Sequence, residues 1–257
     1  MSRAHLMLLA LVAAALAGPV TVRAQRQGGP PGGPSTSRTA APAARESAPI
    51  DLTGYWVSVV TEDWRYRMVT PAKGEFRRIP VTPAALPIIN AWDPAADERA
   101  GNQCKGYGAG TIMRVPGRLH VTWEDADTMR VDTDAGTQTR RFRFAPPAAP
   151  AGAPSWQGNS AARWDRAPAG AMGGSLHVVT TNLRAGYLRK NGVPYSAQAT
   201  VTEDFDVATL PGGGRVVVVT VTVDDPVYLA RPFIVSSQFK QEPDGSKWDP
   251  TPCSSTW

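Results

Sequence analysis

The sequence predicts an all-β domain: an antiparallel barrel of the lipocalin or calycin kind, or a sandwich, with about ten strands. Three observations carry this reading. Short stretches alternate apolar and polar side chains with a period of two, as in RLHVTWE (118–124) and RVVVVTVTVDD (215–225). Glycine, proline, aspartate and asparagine punctuate them at short intervals. Helical periodicity is confined to one broken segment, 82–100, interrupted at Pro87 and Pro94. Meander connections favour the barrel.

In chain order, LTGYWVSVV (52–60) and WRYRMVT (64–70) read as a first hairpin. After the helical segment come TIMRV (111–115) and RLHVTWE, joined by Pro116-Gly117, where proline presets φ and glycine accepts a positive one. DTMRVDT (127–133) and TQTRRFRF (137–144) flank Asp134-Ala135-Gly136, another turn signal. A low-complexity loop, 145–154, precedes strands expected at 155–165, 175–183, 197–207, 215–225 and 233–241. LPGGGR (210–215) reads as a hairpin loop.

Residues 1–24 read as a Sec-type signal peptide. A basic start precedes a 12-residue apolar run, and Val22-Arg23-Ala24 supplies small residues for cleavage after Ala24. The run is too short to span a membrane, and no later segment is longer. Residues 25–49, rich in Gly, Pro and Ala, read as a disordered tether, leaving 50–257 as one domain. The expectation is a periplasmic or secreted protein without a membrane span.

The net charge of +5 belongs mostly to the segments before residue 50, which hold five arginines and one glutamate. The domain carries 22 basic against 21 acidic residues, which offers no electrostatic footprint for nucleic acid. Two cysteines, Cys104 and Cys253, in an exported chain predict one disulfide across a loop of about 150 residues.

Alternation singles out one residue. In ATVTEDFDV (199–207), Ala199, Val201, Phe205 and Val207 share a face, and Glu203 lies in the middle of it. By the same rule Arg114 lies with Ile112, and Arg140 with Phe142 and Phe144. Glu203 therefore has two inward candidates for a partner. It reads either as half of a buried ion pair or as a desolvated carboxyl facing a cavity, serving as general acid/base or as a ligand anchor.

GYLRKNGVPYS (186–196), TEDF (202–205) and VDDPVYLARPF (223–233) resemble a group of uncharacterised exported β-proteins abundant in soil bacteria. The group's pattern matches here at Leu188, Gly192 and Pro194, at Thr202-Glu203 with Phe205, and at Asp225-Pro226 with Tyr228 and Pro232. The resemblance is strongest from 155 onward. It implies a family and little chemistry, since the group carries no established activity. This chain departs from it at Tyr195, where a histidine or other polar residue is common, and at Asp204, where arginine is. Gly54-x-Trp56 is also similar to the opening of lipocalin-like barrels, whose tryptophan packs across the base.

Neither His120 nor His177 sits at a metal-ligand spacing, and no acidic cluster follows a calcium-loop pattern, so no metal or cofactor is expected. His120 shares a polar strand face with Arg118, Thr122 and Glu124. GYLRKNGVPYS reads as a crossover loop whose Tyr187 and Tyr195 line a mouth, with Arg189 and Lys190 drawing an anionic head group. Trp64 lies near a loop and is placed to stack on a ligand ring. The reading is a protein that binds a small apolar or amphipathic ligand in a barrel cavity, using Arg114, Arg140, Tyr187 and Trp64. The alternatives are a cofactor-free isomerase, lyase or hydrolase using Glu203, His120 and Tyr195, or an envelope structural or interaction protein.

Overall fold

The computed structural model describes residues 42–144, 152–168 and 173–256. The expected signal peptide, most of the tether and most of the 145–154 loop lie outside them. Nine strands close a barrel: β1 (Gly54–Val59), β2 (Arg118–Trp123), β3 (Thr128–Thr133), β4 (Gln138–Arg143), β5 (Asn159–Arg166), β6 (Gly174–Thr181), β9 (Thr200–Thr209), β10 (Arg215–Asp224) and β11 (Phe233–Glu242). Their spatial order is β1-β11-β10-β9-β6-β5-β4-β3-β2, and β1 also pairs with β2, so no edge is left open. A separate two-stranded sheet is made by β7 (Gly186–Arg189) and β8 (Val193–Tyr195).

Every pairing in the barrel is antiparallel except one. β4 and β5 run parallel, through Phe142↔Ser160 and Arg143↔Ala161, so the barrel is mixed where all-antiparallel pairing was expected. The connection from Phe144 to Gly158 is long enough to re-enter the sheet in the same direction, which a two-residue hairpin cannot do.

Alternation places the lumen side chains as read. Val217, Val219, Val221 and Val223 of β10 stand opposite Phe239, Ser237, Val235 and Phe233 of β11, and opposite Val207, Phe205, Glu203 and Val201 of β9. Trp56 is buried, and its indole Nε1 donates to the Leu52 carbonyl at 2.9 Å. The barrel has nine strands, one more than a lipocalin's eight.

Four local expectations change. WRYRMVT is not a strand. Asp63 sits left-handed at φ 49° and opens a single helical turn, α1 (Trp64–Arg67), and β1 pairs instead with β2 and β11. Burying Arg67 overrides the β-propensity of Trp, Tyr and Val there. TIMRV is a 3-10 turn over Ile112–Arg114 with all three side chains buried, the ambiguity any short apolar run carries. Pro87 does not break the helical segment: it lies in the first turn of α2 (Leu86–Ala91), where a missing N–H costs nothing. Asp93 then caps α3 (Pro94–Arg99), accepting from Ala95 and Ala96 amides at 3.0 and 3.2 Å.

The fourth concerns the tether. Its last residues, from 42 onward, dock on the barrel: the Ala44 amide donates to Asp127 at 2.8 Å, and its carbonyl accepts from Trp164 Nε1 at 2.8 Å. Cys104 and Cys253 form the expected disulfide, 149 residues apart. Among the described residues, no helix is long and apolar enough to cross a membrane.

Candidate functional site

Among the described residues, four places hold side chains that could carry chemistry: the barrel lumen, the insertion between β1 and β2, the outer wall beside α1, and the wall formed by β5, β6 and β9.

In the lumen Glu203 meets Arg140, not Arg114. The guanidinium grips both carboxylate oxygens, Nη1 to Oε1 at 2.7 Å and Nη2 to Oε2 at 2.6 Å, and both side chains are fully buried. Arg140 Nη2 also donates to Thr180 Oγ1 at 3.2 Å, and that hydroxyl bonds Ser160 Oγ at 2.8 Å. The guanidinium carbon lies 4.9 Å from the Phe142 ring centre, a cation–π contact. This is the closed, fork-to-fork pair of the structural reading.

The lumen holds only about 10 Å³ of free space, lined by Trp56, Met129, Phe142, Leu176, Phe205 and neighbouring aliphatics. That is room for at most about one water. In place of the expected internal ligand cavity this pocket shows packed side chains, with Phe142 and Phe205 ring centres 5.6 Å apart and the Arg140–Glu203 bridge buried as well.

Tyr195 lines no mouth. It is fully buried on β8, and a Cβ at Gly186 would fall 2.5 Å from its hydroxyl. Burial pushes its phenol upward, opposed by Arg140. The hydroxyl has no hydrogen-bond partner among the described residues. Tyr195→Phe should therefore keep or gain up to about 1 kcal/mol of stability in urea denaturation, since an unpaired buried hydroxyl costs free energy. A loss above about 1 kcal/mol would show that the hydroxyl is satisfied.

Tyr187 is likewise not at a mouth: its hydroxyl donates to Asp97 at 2.7 Å, and Asp97 also accepts from Lys105 at 2.6 Å. Burial, then the Asp97 contact, raise its phenol. His120 stands on the outer wall, its ring stacked on Tyr55 with centres 4.1 Å apart. It, Tyr195 and Glu203 therefore do not converge on one reacting centre. His177 Nδ1 lies 2.7 Å from Asp204, and with Asp165 these three strand residues come within 4.8 Å of one another on the barrel wall.

A large open volume among the described residues lies beside α1. A groove of about 660 Å³ runs between Thr61, Glu62 and Asp63 on one side and Phe233 to Ser236 on the other, with Arg78 and Thr220 closing it. Ser236 Oγ donates to Glu62, with both carboxylate oxygens at 3.0 Å. Asp63 and Arg78, both left-handed without being glycine, pair at 2.7 Å. Such backbone strain is held in place by its surroundings. Asp63 also takes Arg114 at 3.1 Å. Next to the groove in sequence, Trp64 is 59 % exposed, and Ile234 within it is 62 % exposed.

None of the residues expected to bind a ligand lines this groove; only Trp64, next to Asp63 in the chain, and Arg114 come near it. Arg114 does so through Asp63, and its guanidinium carbon is 5.4 Å from the Phe233 ring centre. Glu62, Asp63, Arg78 and Ile234 were not expected. No family model, curated protein or solved structure matches the chain.

Proposed function

We propose that the protein is exported and binds a small amphipathic ligand, in the groove beside α1 and not in the barrel lumen. The observation that carries this is the contrast in free volume, about 660 Å³ in the groove against about 10 Å³ inside the barrel. The groove falls within the size range of small-molecule sites. Its lining suits an amphiphile: exposed Ile234 offers an apolar side chain, while Glu62, Asp63, Arg78 and Ser236 offer charge and hydroxyl. Exposed Trp64, next to Asp63 in the chain, supplies an indole suited to an apolar or ring-shaped part of the ligand. The likeness to the exported soil-bacterial group fits this reading, and the disulfide fits an oxidising compartment.

The general acid/base reading finds less support. Both oxygens of Glu203 are engaged by Arg140, and the small lumen cavity has an apolar lining.

The test uses the fluorescent amphiphile 1-anilinonaphthalene-8-sulfonate on the native protein. Ile234→Asp and Trp64→Ala should each weaken its binding about tenfold or more, equivalent to about 1.4 kcal/mol, with the melting temperature little changed. Binding that neither substitution alters would place the ligand elsewhere.

A second reading rests on the same face. Trp64, Met68 and Val69 are each more than half exposed, as is Ile234, and a macromolecular partner would cover them.

A further inference from the structure

A second cavity, of about 20 Å³, lies between α1, the Ile112–Arg114 turn and β7. Its lining is cationic: Arg67, Arg114, Arg189 and Lys190 all face it, with Tyr66 and Thr111. Each of the four is 5 % exposed or less.

Buried cations need partners, because desolvation costs several kcal/mol per ion. Arg114 has Asp63 at 3.1 Å, but Asp63 is shared with Arg78. Arg189 Nη2 donates to the Arg77 carbonyl at 3.0 Å, and its guanidinium lies 4.1 Å from the Tyr66 ring centre. Lys190 Nζ donates to Tyr107 Oη at 2.6 Å. Arg67 is different. Its Nε donates to the Arg114 carbonyl at 2.8 Å, while Nη1 and Nη2 are buried with no partner among the described residues.

The carboxylates around the cavity do not fill that need. Glu62 bonds Ser236, Glu75 bonds Arg77, and Asp63 is divided between two arginines. The strain shows in the proton affinities. Burial lowers Arg67, Arg189 and Arg114, the last to about 10; Asp63 and Glu62 oppose the fall at Arg67 and Arg114, and Arg189 and Arg67 add to it at Arg114.

We propose that this cavity is a binding site for a small anion, chloride-sized or a single carboxylate group, held by the Nη1 and Nη2 donors of Arg67 and flanked by Arg114 and Arg189. The volume admits a group of that size, one or two waters' worth, and excludes a larger one. Paired guanidinium N–H donors in a fixed fork match such an anion. The site stands whether or not the groove binds a ligand. Arg114 reaches both, contacting Phe233 on the groove side, so the anion's source is either a free ion or the carboxylate end of a groove ligand.

The experiment compares melting temperatures of the full chain in chloride, bromide, formate and hexanoate against gluconate, whose hydrated polyol chain suits neither the small cavity nor an apolar groove wall, at constant ionic strength. A bound anion at ten times its Kd should raise the melting temperature by about 3–6 °C over gluconate. Crystals soaked in bromide should show anomalous scattering within hydrogen-bond reach of Arg67. A bromide response marks a free ion. A response to hexanoate alone, abolished by both Arg67→Gln and Ile234→Asp, marks a ligand head group. Arg67→Gln should erase either response, and the bromide crystal needs no variant to fold. Equal melting temperatures in all five anions, with bromide only on the surface, would overturn the proposal, as would an anion response that survives in Arg67→Gln. The groove reading is scored separately by the fluorescent amphiphile.

Discussion

Glu203→Gln should destabilise the protein by about 3–5 kcal/mol, read as a fall in the urea midpoint without a change in slope. The carboxylate and Arg140 are both fully buried, and two short bonds join them. Glutamine keeps the shape but removes the charge, leaving a guanidinium dry and unpaired in the barrel. Arg140→Met should cost a similar amount for the mirror-image reason. The double replacement Glu203→Leu with Arg140→Met should recover most of the loss, because an apolar pair pays no desolvation. Strong non-additivity of this double variant against the single Glu203→Leu and Arg140→Met variants is the signature of a direct pair. Additive losses, or a stable Glu203→Gln protein, would mean that the carboxylate is not held as seen and would reopen its use as an acid or base.

Cys253→Ser, or reduction of the native protein, should cost about 4–5 kcal/mol on the chain-entropy account of a loop closed across 149 residues. For a domain of this size that corresponds to a fall in melting temperature of about 10–20 °C. Cys253 is followed by a tail that returns to α3, where the Ser255 amide donates to Glu98 at 2.8 Å. That tail should exchange its amides early once the bond is cut, ahead of the barrel strands. A loss below about 1 kcal/mol would mean that strand pairing alone closes the same loop in the unfolded ensemble.

The barrel was legible because period-two alternation survives burial on one face, and nothing else produces it over so many short segments. The same rule exposed Glu203 as an inward charge and named Arg140. It also named Arg114, wrongly, because it treated 111–115 as a strand. In a 3-10 turn the side chains no longer alternate between two faces, and Arg114 turns to Asp63 instead. The disulfide was readable from a count of two.

The groove was not readable. Its two walls lie 174 residues apart at the Glu62–Ser236 contact, and the left-handed backbone of Asp63 and Arg78 has no glycine to announce it. The cationic cavity was half visible. Arg189 and Lys190 stood out in GYLRKNGVPYS as a lure for an anion, but Arg67 was hidden in a segment that reads as a strand. Buried β7 and β8 replaced the loop expected there, since apolar Leu188, Val193 and Tyr195 join the core cluster. The grouping of Asp165, His177 and Asp204 spans three strands, so no spacing along the chain could show it.

Chemical-shift mapping of the labelled protein during titration with 1-anilinonaphthalene-8-sulfonate tests the central claim most directly. If the barrel is a filled scaffold and recognition lies outside it, the shifts concentrate at Glu62, Asp63, Trp64, Ile234 and Ser236. The lumen residues Val178, Phe205 and Val219 then stay unmoved. Shifts centred on those three, with the α1 groove silent, would contradict the account.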